Sequence, residues 1–200
     1  MLLGCESAAA EAYMGNLLLS DNRYELNWHI GEPVPLYAYL YHEYLRNFMG
    51  NQVCCAFTNE ADTMCARLAY SFVAGDCMTI VMTPDGNLMN NWGCHDFSNL
   101  PDKERALTFI ANMNRFYKEQ AKDYLYAGKM CKPNEYICET VSYPAAKGRM
   151  IEMPAVLSTA WEHGDKKVQI FVNHTMEDIA MTYEGRQIIV KALSGHMEEI

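Results

Sequence analysis

The stretch 35-PLYAYLYHEYLRNFMGNQ-52 runs tyrosines and leucines straight into an imidazole and a carboxylate, His42 and Glu43. Read as a strand over Val34 to Tyr41, with Pro33 and Pro35 ahead of it, it makes the N-terminal part of the chain a β/α protein. His42 and Glu43 then close that strand. Neighbouring residues on a strand point to opposite faces, so both reach one site only if the strand has ended there.

The flanking segments extend the pattern. "MLLGCES" reads as a short strand, Leu2 to Cys5, closed by Glu6, and the helix-forming "AAAEAYMGNLLLS" follows it. Ala61, Met64, Cys65, Leu68, Ala69, Phe72 and Val73 recur at helical spacing, with Asn59 or Thr58 as cap and Gly75 as stop. Met78 to Met82 reads as a third strand, followed by the turn "TPDGN". A long helix spans about Lys103 to Tyr126, its stripe formed by Leu107, Ile110, Ala111, Asn114, Tyr117, Ala121, Tyr124 and Leu125, and Gly128 stops it. Strand and helix in alternation imply parallel strands joined by right-handed crossovers.

Past residue 130 the texture changes to strands alone. "WEHGDKKVQIFVN" has a hairpin pattern, and "YEGR" marks another turn. The predicted organisation is therefore an α/β portion over residues 1–145 and an all-β, sandwich-like portion over 146–200.

The totals narrow the function. The 200 residues are half hydrophobic and carry a net charge of −9. Such a chain can bury a core, and it lacks the basic face that phosphate backbones need, so nucleic acid is not expected as a partner. No apolar run reaches the roughly 18 residues of a membrane span, so no membrane partner is expected either. The eight cysteines form no CxxC pair, and several lie in apolar runs, which reads as reduced thiols in a core rather than a zinc site. Cys131 and Cys138 are the pair to bridge were the protein secreted. The thirteen tyrosines and three tryptophans suit stacking on sugar rings, although most such rings belong to cores.

"GCESAAAEAYMGNLLLSDNR", "VPLYAYLYHEYLRNFMGNQ", "LAYSFVAGDCMTIVM" and "LSTAWEHGDKKVQIFVNHT" together resemble the last third of a bacterial glycoside-hydrolase-like family. Its members have a (β/α)₈ barrel followed by a C-terminal β-sandwich. The resemblance implies that the chain holds about the last three β/α units of a barrel and an incomplete sandwich. A full barrel takes about 250 residues, so on this reading the chain is a C-terminal fragment, inactive alone. Active sites of such barrels lie at the carboxyl ends of the strands.

On that frame Glu6 and Glu43 are the candidate catalytic carboxylates. Glycoside hydrolysis uses a pair of them, about 5–5.5 Å apart in retaining enzymes and about 6.5–9.5 Å apart in inverting ones. His42, Trp92, His95 and Asp96 are the candidate substrate-binding residues, with Trp92 as a stacking platform. Asp76, ahead of the third strand and at the wrong end of a barrel, reads as structural. His42, Glu43, His95 and Asp96 have donor types suited to divalent ions, but no spacing fixes them as ligands, and no metal site is assigned. There is no nucleophile elbow and no phosphate-cradling glycine loop, so no cofactor is expected. The alternative function is a non-catalytic carbohydrate-binding or interaction module, with Trp161 as the ring favouring it.

Overall fold

The computed structural model describes residues 34–49, 63–89, 102–145 and 149–200, together with the backbone of two further strands. The chain combines helices with several sheets. β1 (Gly4–Glu6), β2 (Leu19–Asn22) and β3 (Arg46–Met49) form a parallel sheet in that order.

Two expected strands are corrected. Residues 34–41 are not extended: α1 occupies Leu36–Tyr41. Its turn closes through Tyr39 N–H donating to the Pro35 carbonyl and His42 N–H to that of Ala38. Tyr37 and Tyr41, four residues apart, bring their rings to 5.1 Å, the i, i+4 contact that a helix offers and a strand does not. The strand of this region begins five residues after α1, at Arg46. The expected strand over Met78 to Met82 shrinks to β4 (Val81–Met82), which runs antiparallel to β5 (Leu88–Met89). Between them the "TPDGN" turn folds tightly: the Thr83 hydroxyl and the Asn87 amide both donate to the Asp85 carboxylate. A five-residue turn can join only antiparallel neighbours, because a parallel crossover needs a dozen residues or more.

The helices expected near Ala61–Val73 and Lys103–Tyr126 hold with one rotation, whereas the helix expected after Glu6 lies outside the described residues. α2 (Thr63–Val73) is buried on every side, and Gly75 follows it at φ +77°, the left-handed residue that ends helices. α3 (Lys103–Phe116) continues through a π turn (Tyr117–Ala121) into α4 (Lys122–Ala127), where Gly128 stops it. Asp102 caps α3 by accepting the Arg105 N–H. Its core stripe is Ala106, Phe109, Met113 and Phe116, one residue ahead of the stripe read from the sequence. Leu107, in that expected stripe, is 43% exposed.

The C-terminal half is antiparallel. β6 (Lys129–Cys131), β10 (Val156–His163), β11 (Lys166–Asn173) and β14 (Gly195–Glu199) make a four-stranded sheet in the order β14-β11-β10-β6. β7 (Tyr136–Ile137), β12 (Ile179–Tyr183) and β13 (Arg186–Val190) make a second, and β8 (Thr140–Ala145) pairs with β9 (Arg149–Pro154). The hairpin predicted at residues 161–173 is β10–β11, with His163 opposite Lys166 across Gly164 and Asp165. At "YEGR" both turn residues, Glu184 and Gly185, take positive φ, which is the type I′ geometry that two-residue hairpins favour.

β11 explains how the layers assemble. Its last six residues are buried in succession, so both faces are covered. Val168, Ile170 and Val172 pack with α2, α3 and Trp161 in the main core, whereas Phe171 packs with Ile179, Met181 and Tyr183 of the second sheet. Helices on one face and strands on the other account for the strand's nearly continuous apolar run. Among the described residues no helix is long and apolar enough to cross a membrane.

Candidate functional site

The ends of α2 and α4 meet beside β3, and their residues line a cavity of about 550 Å³. Such a volume lies within the range of small-molecule sites. Phe72, Ile80, Ile110 and Leu125 make most of the wall apolar, and Tyr117 and Tyr126 add rings. The polar groups are Arg46, Asp76, Cys77 and Asn114. Ile110, Asn114 and Tyr117 belong to the stripe read from the sequence as core, so that stripe faces the cavity while its neighbour faces the core. The π turn begins at Tyr117; such single turns widen a helix locally and recur at functional sites.

Asp76 is the unusual group. Asp76 lies three residues beyond α2; its backbone N–H donates to the Ser71 carbonyl, and Cys77 N–H donates to the Asn47 carbonyl of β3. These bonds draw the carboxyl inward, to 7% exposure. Neither carboxyl oxygen has a partner within hydrogen-bonding geometry. Burial raises its pKa to about 7, and the approach of the Asn47 amide only partly opposes that. A carboxyl that keeps its proton to neutrality has the property required of a general acid. The next residue, Cys77, is a free, exposed thiol, raised above its ordinary pKa by partial desolvation and then by Asp76.

Arg46 opens β3, with its guanidinium carbon 3.7 Å from the centroid of the Tyr126 ring, a cation–π contact that anchors the group at the cavity. One of its terminal nitrogens, Nη1, is buried without a partner.

The chain matches no protein-family model, no curated protein and no solved structure. The site is therefore read from its own residues.

The residues singled out in the sequence fall as follows. His42 is buried and lies in the turn between α1 and β3. Its Nδ1 faces the Gly128 carbonyl at 3.2 Å, and its Nε2 faces those of Leu125 and Gly75 at 3.0 and 3.2 Å. Desolvation, then the Arg46 charge, press its pKa below that of an ordinary imidazole, against three carbonyls that favour the proton. It ties α1 to the ends of α2 and α4 and does not line the cavity. Glu43, the next residue, is exposed. Glu6 closes β1, and the backbone register sets it level with Asp21 of β2 and, through it, Phe48 of β3. His42 and Glu43 precede the start of β3, whereas Glu6 stands at the carboxyl end of its own strand. Trp92, His95 and Asp96 lie outside the described residues. Among those described, no three His, Cys, Asp or Glu side chains cluster as metal ligands do. Cys131 and Cys138 are both free thiols. Trp161, the ring offered for a binding module, is completely buried, and its indole N–H donates to the Thr159 hydroxyl. It is a core residue.

Sequence reasoning read Asp76 as structural. The available signal was an acid three residues beyond a helix end, in the otherwise apolar "VAGDC".

A second cavity of about 490 Å³ lies across the end of α2, lined among others by Pro35, Tyr39, Tyr70, Met130, Tyr136 and Thr159. It holds no acid.

Proposed function

We propose that this chain acts on carbohydrate, as a glycoside-hydrolase-like protein, and that the Asp76 cavity is where a sugar sits. The carrying observation is a buried carboxyl, protonated to about pH 7, in the wall of a cavity that also presents Tyr117 and Tyr126. Aromatic faces pack on the apolar side of a pyranose. Asn114 and Arg46 supply directional donors for its hydroxyls. A carboxylic acid in that position donates its proton to the glycosidic oxygen as the bond breaks, and the acetal carbon takes up the developing positive charge. A second carboxylate completes such chemistry, and Glu6 is the candidate we assign, on the expectation that the parallel strands β1–β3 are the barrel-like part of the protein. A supporting relation is that the backbone register sets Glu6 level with Phe48, two strands away and about 10 Å at the ordinary strand spacing, and that Arg46, two residues before Phe48 on β3, lines the cavity.

The test is hydrolysis of a panel of aryl glycosides across pH 5–9. Activity that falls above about pH 7, and drops by roughly 10²–10⁴-fold in Asp76→Asn, supports the acid. Loss in Glu6→Gln supports the pair. Activity untouched by Asp76→Asn removes Asp76 from the chemistry.

The second reading is a non-catalytic binding or interaction module. It is favoured by the apolar residues that α1 and its flanks present to solvent, Val34, Leu36, Tyr39, Leu40 and Tyr44, each at least 47% exposed. Sugar binding without turnover, unaffected by Asp76→Asn, selects it.

A further inference from the structure

Of the described polar groups lining the Asp76 cavity, Arg46 is the one cation. Among the described residues no carboxylate forms an ion pair with it. The acid in the same cavity makes no bond to it: neither Asp76 oxygen has a hydrogen-bond partner. The Cys77 thiol is pushed toward its neutral form. The guanidinium sits over the Tyr126 ring, 3.7 Å from its centroid, which holds it in place before any ligand arrives, and Nη1 is buried with nothing to bond. A buried donor left unmet costs free energy that a ligand acceptor recovers.

We propose that the ligand of this cavity carries a carboxylate, and that Arg46 is the residue that recognises it. This rests on the carbohydrate reading above and narrows it to acidic sugars, the uronates. The planar fork of arginine matches the two oxygens of a carboxylate with two parallel hydrogen bonds. A phosphate dianion suits the site less. One cation faces it, and the helix ends nearby are carbonyl ends: Gly75 follows α2, and Leu125 and Tyr126 lie in the last turn of α4. Helix C-termini carry partial negative charge and repel a second negative charge. Sugar hydroxyls, by contrast, can donate toward such carbonyls. A single carboxylate on a ring of hydroxyls satisfies both ends of the cavity.

The experiment is isothermal titration of the whole chain with D-glucuronate, D-glucose, acetate and inorganic phosphate, at pH 7 and fixed ionic strength. D-glucuronate is expected to bind at least tenfold more tightly than D-glucose. Arg46→Gln is expected to abolish that preference, so that the variant binds glucuronate no more tightly than it binds glucose. Arg46→Lys keeps the charge and loses the fork, so it is expected to recover only part of the difference; it decides the matter if Arg46→Gln does not fold. Equal binding of glucuronate and glucose, or equal loss of both in the Arg46 variants, overturns the inference and leaves the carbohydrate reading standing. Phosphate binding as tightly as glucuronate overturns it too. Acetate matching glucuronate, with the same dependence on Arg46, keeps the carboxylate and defeats the sugar. No binding of any probe defeats both.

Discussion

The imidazole of His42 meets the indole of Trp161 edge-on, 4.6 Å between ring centroids and 64° between planes. The contact joins the turn after α1 to the centre of β10, far apart in sequence. Each ring is also held by its own bonds. His42 faces three backbone carbonyls near the ends of α2 and α4. Trp161 donates to Thr159, whose hydroxyl donates to the Val73 carbonyl in the last turn of α2. The wall that supports Asp76 is thus braced from behind by a fully buried pair of rings, and the cavity in front is positioned by packing on the antiparallel sheet.

Gly75 is the narrowest point of that brace. It takes φ +77°, and a Cβ there would stand 2.6 Å from His42 Nε2 and 2.8 Å from the Trp161 ring. Both neighbours are locked, so neither yields cheaply. Left-handed strain and overpacking together predict that Gly75→Ala lowers stability by about 2–4 kcal/mol, measured by urea unfolding. A loss under about 0.5 kcal/mol means that the rings can move, and the brace is not rigid.

Asp76 gives stability a signature in pH. Its native pKa, about 7, lies above the unfolded value of 3.8, so the folded chain holds the proton more tightly. Stability is therefore highest below the unfolded value and falls as pH rises from about 4 to about 7. The total is about 4 kcal/mol at 1.36 kcal/mol per unit. Asp76→Asn cannot ionise, and it is expected to be more stable than the parent at pH 8, with the gain shrinking toward pH 4. Denaturant midpoints at the two pH values check this. A variant less stable at both indicates that the carboxylate has a partner after all.

How much of this was readable beforehand varies along the chain. α2 and the β10–β11 hairpin were legible because the signals are local: helical spacing, a glycine stop and a two-residue turn. The segment from Val34 to Tyr41 was not. Alternating tyrosine and leucine satisfies a strand's period, and only the contacts at i and i+4, Tyr37 on Tyr41, show that a helix uses the same residues. The α3 stripe was read one residue late because two adjacent apolar stripes compete there, one for the core and one for the cavity. Asp76 was the costliest omission. Its chemistry comes from burial by β3 and α2, which no local pattern encodes. Glu6 was legible as a strand end, and a satisfied core histidine was one reading open for His42, but the three carbonyls that hold it were not legible.

Gln169 tests the second layer. It is fully buried on β11 and satisfies four partners. Its amide N–H groups donate to the Asn134 carbonyl and the Ser158 hydroxyl, and its oxygen accepts from the Asn134 N–H and the Tyr183 hydroxyl. Gln169→Leu keeps the size and strands those groups. The expected loss is about 2–4 kcal/mol, from several unmet buried groups at about 1–3 kcal/mol each with partial rescue by water. Differential scanning calorimetry reads it. A neutral result means that water enters between the sheets and replaces the side chain.

His174 sets the acid limit of the fold. It is wholly buried, and its Nε2 sits 2.9 Å from the Pro154 carbonyl, which can only accept. The proton is therefore on Nε2, and Nδ1 accepts from the Tyr143 hydroxyl at 2.9 Å. This is the neutral ring with both nitrogens satisfied. Protonating Nδ1 would put a charge in the core and lose the Tyr143 bond as arranged. Desolvation lowers its pKa to about 4, with Arg105 adding to the effect and the Pro154 bond opposing it. The native value lies below the unfolded 6.5, so the unfolded chain binds the proton first. Stability from this group is complete above about pH 6.5 and is lost as pH falls to about 4. The full amount is about 3 kcal/mol. The sign is opposite to that of Asp76, so the two slopes oppose each other between pH 4 and 6.5. His174→Gln keeps a donor and an acceptor without titrating in this range. Its stability is expected to vary more than the parent's between pH 4 and 6.5, because the Asp76 slope is then unopposed, so that the variant gains stability as the pH is lowered from 6.5 to 4. Urea midpoints at half-unit steps measure both curves. If the parent and His174→Gln run parallel through that window, the imidazole takes up its proton in the folded state as easily as in the unfolded one, and the buried neutral ring is not what limits the fold in acid.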